Sequence, residues 1–164
     1  MTITLERLKE LVEYSPETGL FLWRVQMNSA APVGSIAGTV RPDGYRGIRI
    51  DKRHYFAHRL AWFYVHGEWP ALYLDHINCD RADNRIKNLR VATRSQNHAN
   101  VGRRSHNTSG FKGVTWHKRD RHWRSQIKHA GTLHHLGSFS DPALAHEAYC
   151  RAARQLFGKF ARAG

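Results

Sequence analysis

Residues 74–100, LDHINCDRADNRIKNLRVATRSQNHAN, decide how the rest of the chain is read. Leu72 and Leu74 lead as a short strand into the adjacent pair Asp75 and His76. A polar run from Asn78 to Asn88 follows, rich in Asn and Asp, which bond to their own backbone and favour turns. Leu89 to Ala92 can return as a second strand. Thr93 and Gln96 make a T-x-x-Q capping box, in which each side chain satisfies a free backbone donor of the other residue. A helix is therefore expected to start at about Arg94. Asn97 falls in its first turn, where its amide can point back toward the strand carrying Asp75.

These residue types suit the hydrolysis of a phosphodiester. Water must lose a proton, and charge building up on the phosphoryl and leaving oxygens must be stabilised. Histidine is a suitable general base near neutral pH, contributing on the order of 10²–10⁴-fold. A divalent cation beside it acts as a Lewis acid. The carboxylate of Asp75 and the amide oxygen of Asn97 are hard ligands that favour Mg²⁺, with Mn²⁺ as the alternative, over Zn²⁺. Other polar residues nearby carry weaker signals. His98 lies about 100° round the helix from Asn97. Asp80, Asp83 and Asn84 hint at a calcium loop, but the glycine and terminal Glu of that motif are missing. His58 and Arg59 fit internal packing or a phosphate contact, and Cys79 lacks the paired base a nucleophile needs.

The pattern D-H-I-N…N-R-I-x-N-L-R…T-R-S-Q-N-x-x-N resembles the HNH, or His-Me finger, endonucleases. It is closest to the phage and intron-homing branch, whose first motif is Asp-His. The similarity covers roughly residues 1–100, including A-H-R-L-A-W and the G-E-W-P turn. The resemblance implies two strands and a helix around one divalent metal. It makes Asp75 and Asn97 the metal ligands and His76 the general base. Asn88 would hold the loop and help orient that base.

Working outward, Leu5, Leu8, Leu11 and Val12 have helical spacing, and SPETG at 15–19 ends that pattern in a turn. Short apolar stretches at 20–25, 35–40 and 45–50 read as strands of a small antiparallel sheet. Residues 57–67 return to a helical pattern, with Gly67 as a C-terminal stop and Pro70 beyond. The polar, basic segment 101–110 reads as a linker. After it come three strand-like stretches, 113–117, 123–129 and 132–139, then a helix. Asp141 can cap that helix, Pro142 suits its first position, and Gly158 can end it. Ala145, Ala148, Ala152 and Leu156 are its expected apolar stripe.

Alternation along 123–129 places Trp123, Ser125, Ile127 and His129 on one face and Arg124, Gln126 and Lys128 on the other. The second set suits phosphates and base edges, since a sheet can enter the major groove. Residues 107–160 also resemble the APETALA2, or ethylene-response-factor, DNA-binding domain. S-G-F-K-G-V, W-R-S-Q-I-K, H-L-G-S-F and A-x-x-A-Y-x-x-A-A-x-x-L-F-G carry this second resemblance. By position it assigns DNA contacts to Lys112, Thr115, His117, Gln126, Lys128 and His135, and the strand geometry adds Arg124. Several family arginines and a tryptophan are replaced by Thr115, His117 and His135, so the plant target sequence does not transfer. Trp116, Trp123 and Phe139 are expected in the core.

The reading is an α+β protein: a ββα-metal nuclease core with an N-terminal small antiparallel sheet and helix, then a three-stranded antiparallel sheet with one helix. The expected limits are 1–100 for the nuclease domain, 101–110 for the linker and 111–164 for the DNA-binding domain. The formal net charge is +13, with 26 Lys and Arg against 13 Asp and Glu. Residues 1–100 hold 14 basic and 10 acidic side chains (+4), and residues 101–164 hold 12 and 3 (+9). Such a field favours a polyanionic partner through counterion release, and double-stranded DNA is the expected one. Cys79 and Cys150 are the two cysteines, which excludes a disulfide framework and fits a reducing cytoplasm. No apolar run approaches the roughly 20 residues of a membrane span. One metal site per chain implies a monomer nicking one strand, with double-strand cleavage requiring a dimer or sequential nicks. The rival readings are a DNA-binding regulator on a nuclease-like scaffold and an RNA-directed nuclease.

Overall fold

The computed structural model describes residues 3–103 and 106–162, so Arg104 and Ser105 of the expected linker lie outside the described residues. The chain divides between Val91 and Ala92 into two compact units. The reason is apolar burial. Ala92 and Ala99 share one core cluster with Ile127, Tyr149, Ala153, Phe157 and Phe160.

In the first unit, α1 (Leu5–Leu11) is capped by Thr4, whose hydroxyl accepts from the Arg7 N–H, and buries Leu8 and Leu11. Val12, expected in the helical pattern, instead opens a strand. β1 (Val12–Ser15) pairs antiparallel with β2 (Leu20–Trp23), from Val12 opposite Trp23 to Ser15 opposite Leu20. A three-stranded antiparallel sheet follows in the order β3 (Thr39–Val40), β4 (Arg46–Ile50), β5 (Arg53–Phe56). Helix α2 (Ala57–His66) starts directly after β5 and stops at Gly67, which takes the left-handed φ of 75°. Leu8, Phe21, Ile48, Ile50 and Leu60 are fully buried and form the centre of the core. β6 (Tyr73–His76) and β7 (Leu89–Ala92) make a two-stranded sheet, joined by a loop that ends in a 3₁₀ turn at Ile86–Asn88.

The second unit begins with α3 (Arg94–Asn100). Its sheet has the order β10 (Thr132–Phe139), β9 (His122–His129), β8 (Val114–His117), all antiparallel, and α4 (Pro142–Phe157) packs on it. Asp141 caps α4 by accepting from the Ala143 N–H at 2.6 Å, with Pro142 in the first turn. The buried stripe is Ala145, Ala148, Tyr149, Ala153 and Phe157. It starts as expected and then drifts by one residue, leaving Leu156 exposed. The 3.6-residue period makes 149, 153 and 157 follow 145, and the larger rings fill the space. A Cβ at Gly113 would lie 2.0 Å from the Tyr149 ring, so only glycine lets β8 start there. Trp116, expected in the core, keeps 43 % of its surface exposed, while Val114 and Ile127 are buried. It lies toward the β8–β9 turn and leans on Trp123 at 4.9 Å.

Candidate active site and nucleic-acid face

β6 carries Leu74, Asp75 and His76, all buried. The loop after them is built from its own Asn and Asp side chains. Asp80 N–H donates to Asn78 Oδ1 at 2.9 Å, Ala82 N–H to Asp80 Oδ1 at 2.9 Å, and Arg85 N–H to Asp83 Oδ1 at 3.3 Å. Asp83 also pairs with the Arg85 guanidinium, which holds its carboxyl down to about 2. Asn88 ties the ends of this loop together. Its Oδ1 accepts from Asn78 N–H at 3.0 Å, and its Nδ2 donates to Asn78 Oδ1 at 3.0 Å and to the Asp83 carbonyl at 2.8 Å.

His76 is oriented by a residue whose role the sequence did not reveal, Asn84. Asn84 is fully buried and its Nδ2 donates to the Ala82 carbonyl at 3.1 Å. Its Oδ1 therefore faces His76 Nε2, at 3.2 Å. An amide oxygen only accepts, so the network assigns the imidazole proton to Nε2 and the lone pair to Nδ1. Burial pulls the His76 pKa below its ordinary value, against the raising effects of the Asn84 bond and of Asp75, Asp80 and Asp83.

Asn84 is itself braced by the first hairpin. Tyr14 Oη donates to the Asn84 carbonyl at 2.7 Å, and burial raises the Tyr14 phenol to about 12. Gly19, at φ +73°, lies so close that a Cβ would sit 2.4 Å from Arg85 N and 2.6 Å from Asn84 C. The only trace of this in the sequence was the turn glycine itself.

Asp75 is buried and one of its oxygens, Oδ2, receives two bonds from Arg90, from Nε at 2.8 Å and Nη2 at 2.7 Å. A carboxylate has about four lone-pair sites, so a cation and an arginine can share it. His58, read as packing or a phosphate contact, is buried with its ring edge against His76 at 5.2 Å. Its Nδ1 is buried and finds no hydrogen-bond partner among the described residues. Burial, then neighbouring His76 and Arg59, lower its pKa to about 3. Asn97 stands in the first turn of α3, half-buried, behind a complete capping box: Thr93 Oγ1 accepts from Gln96 N–H at 3.2 Å and Gln96 Oε1 from Thr93 N–H at 2.8 Å. His98 is exposed. The Asp75 carboxylate is a hard oxygen donor of the kind that suits a divalent ion of the Mg²⁺ or Mn²⁺ type.

In the second unit the strand register gathers most of the sequence-assigned DNA contacts on one face. Thr115 is opposite Arg124, His117 opposite His122, and His135 opposite Gln126. Directly paired residues share a face, and Val114, Ser125 and Ile127 occupy the other one, buried. Thr115, Lys128 and His135 are exposed, and His117, Arg124 and Gln126 half-buried. Lys112 is different. Its ammonium donates to the carbonyls of Ala99, Val101 and Arg162 at 2.7, 2.6 and 3.0 Å, a bonding role inside its own unit.

A family model described as HNH endonuclease matches residues 55–99, from β5 through most of α3. The chain is 33 % identical over 106 residues to "Protein 3.8" of Escherichia phage T7, a match covering 64 % of this chain and 87 % of that protein. The chain belongs to the family of that phage protein and carries an HNH endonuclease domain. It is also 28 % identical over 109 residues to "Uncharacterized HNH endonuclease L560" of Acanthamoeba polyphaga mimivirus, covering 66 % of this chain and 54 % of that protein. No solved structure matches the chain. The HNH domain implies metal-dependent nuclease activity on DNA. Its mixed α/β architecture of small antiparallel sheets and helices fits a ββα-metal nuclease. Among the described residues, no helix is long and apolar enough to cross a membrane.

Proposed function

We propose that the protein is a site-preferring, homing-type endonuclease that nicks double-stranded DNA, with His76 as general base. The observation that carries this reading is the buried His76 imidazole, held through Nε2 by Asn84 and adjacent to Asp75. With its proton on Nε2, the ring can take a proton from water only at Nδ1. Asn84 prevents the ring from turning, and Asn88 keeps the loop that delivers Asn84 closed. Asp75 and Asn97 would hold one Mg²⁺, or Mn²⁺ in its place. That ion, when bound, supplies Lewis-acid stabilisation of the phosphate and the leaving oxygen.

The open sheet face bearing Thr115, His117, Arg124, Gln126, Lys128 and His135 supports a reader role. Arg and Lys suit phosphates and guanine edges, and Gln suits adenine. Lys112 contributes by fixing the start of β8. The chain acts as a monomer with one base and one metal, so each engagement cuts one strand. The test is a time course on supercoiled plasmid carrying a selected target site, in Mg²⁺ and in Mn²⁺. Nicked circles are expected to precede linear DNA, with cleavage lost in Asp75→Asn and Asn97→Ala. Linear product without a nicked intermediate, or wild-type rates in both variants, would refute the reading.

A further inference from the structure

The β8–β9 turn gathers a second set of metal-binding side chains, in the unit proposed to read DNA. His117 and His122 are direct cross-strand partners, so their rings stand on one face, stacked at 5.7 Å. Four residues join them, and Arg121 takes a left-handed φ of 50° to close the turn. Asp120 in that turn brings its Oδ2 to 3.0 Å from His117 Nδ1. His122 Nδ1 lies 3.1 Å from the Asp120 carbonyl, which can only accept. The His122 proton therefore sits on Nδ1, and its Nε2 keeps the lone pair. One ligand atom from each of His117, Asp120 and His122 lies within 4.8 Å of the other two.

The decisive atom is His117 Nδ1. It is buried and close to a carboxylate oxygen, yet makes no aligned hydrogen bond. A ring nitrogen and a carboxylate oxygen that converge without a proton aligned between them form a site that a cation completes. Two imidazole nitrogens and one carboxylate oxygen are the ligand types of zinc, whereas Mg²⁺ takes oxygen alone. His122 also has the outer-shell bond that fixes the tautomer of a zinc-binding histidine. We propose that His117, Asp120 and His122 bind one Zn²⁺, with water as fourth ligand, clipping the β8–β9 hairpin.

Arg124 is the ion's competitor. Its Nη2 lies 3.0 Å from Asp120 Oδ2 and its Nε 3.5 Å from His122 Nε2, on the same two groups the metal needs. Arg119 adds a looser contact to the other Asp120 oxygen, at 3.5 Å. Zinc therefore displaces the Arg124 guanidinium from the turn and frees it on the open sheet face.

The test is calorimetric titration of the full-length chain with Zn²⁺ in excess Mg²⁺, with Co²⁺ as a visible-absorption probe of geometry. One equivalent is expected to bind with the intense bands of tetrahedral cobalt. His117→Ala and His122→Ala are each expected to weaken binding by at least about tenfold, and Asp75→Asn to leave it unchanged. Arg124→Gln is expected to tighten binding several-fold, a gain that misfolding cannot produce. Absence of zinc binding, an octahedral cobalt spectrum, wild-type affinity in both histidine variants, or loss of the equivalent in Asp75→Asn alone would overturn the proposal.

Discussion

Asn84 decides which nitrogen of His76 carries the proton, because its own amide is turned by the Ala82 carbonyl. Replacing Asn84 by Ala leaves Nε2–H without that acceptor and removes its hold on the tautomer. The nicking kcat is expected to fall on the order of 10²-fold, with KM for the plasmid little changed. Asn84→Asp keeps the acceptor but adds a negative charge that favours the imidazolium. Its pH–rate profile is therefore expected to lose activity at a higher pH on the acid side than wild type; an unshifted profile would contradict the contact. His58 gives a separate signature in stability. Its folded pKa of about 3 lies below the ordinary 6.5, so the folded state disfavours protonation. Above pH 6.5 both folded and unfolded His58 are neutral and nothing is gained or lost. As the pH falls from 6.5 toward 3, the unfolded chain takes a proton that the folded chain refuses, and stability drops. The limiting slope from this residue is about 1.4 kcal/mol per pH unit. Urea denaturation across that window is expected to show a shallower fall in His58→Phe; an identical pH dependence would show that His58 titrates normally.

At the scale of elements, the β1–β2 hairpin props the loop between β6 and β7 through the Tyr14 hydroxyl and the bare face of Gly19. Tyr14→Phe leaves a buried carbonyl unpaired and is expected to cost about 1–3 kcal/mol, read as a lower melting temperature together with a lower nicking rate. Gly19→Ala and Gly34→Ala make a matched pair. Both glycines have positive φ, but a Cβ at Gly34 meets nothing within 4 Å while one at Gly19 strikes Arg85 and Asn84. Only Gly19→Ala is expected to depress cleavage well beyond its loss of stability; equal effects would mean that the hairpin does not position the loop. This bracing also marks the limit of what the sequence discloses. The capping box at Thr93, the stop at Gly67 and the Asp141–Pro142 start are local, so residues a few positions apart carry them in full. Tyr14 reaches Asn84 across 70 positions of chain, and no spacing rule encodes that contact. Val12 fitted the helical period but pairs with Trp23, because strand pairing outweighs one apolar match. Trp116 was misplaced for a related reason: strand alternation gives its face of the sheet but not how far α4 extends over that face.

The sequence is asymmetric in charge, +4 over residues 1–100 and +9 over 101–164, and the proposed function assigns cutting to the first part and holding of DNA to the second. Lys128, exposed on the open sheet face, is expected to act as a phosphate contact. Lys128→Ala is expected to reduce the slope of log affinity against log salt by roughly 0.9, at unchanged kcat. Gln126→Ala is expected instead to relax base preference with the salt slope intact; the reverse pattern would exchange their roles. Lys128 and Gln126 act in binding, whereas the proposed role of His76 is the chemistry of a metal-dependent cut. Supercoiled plasmid incubated in Mg²⁺, Mn²⁺ or EDTA with wild type and with His76→Ala tests that role. Nicked circles are expected from wild type in metal, and none from wild type in EDTA or from His76→Ala in any condition. Cleavage in EDTA, or full cleavage by His76→Ala, would contradict it.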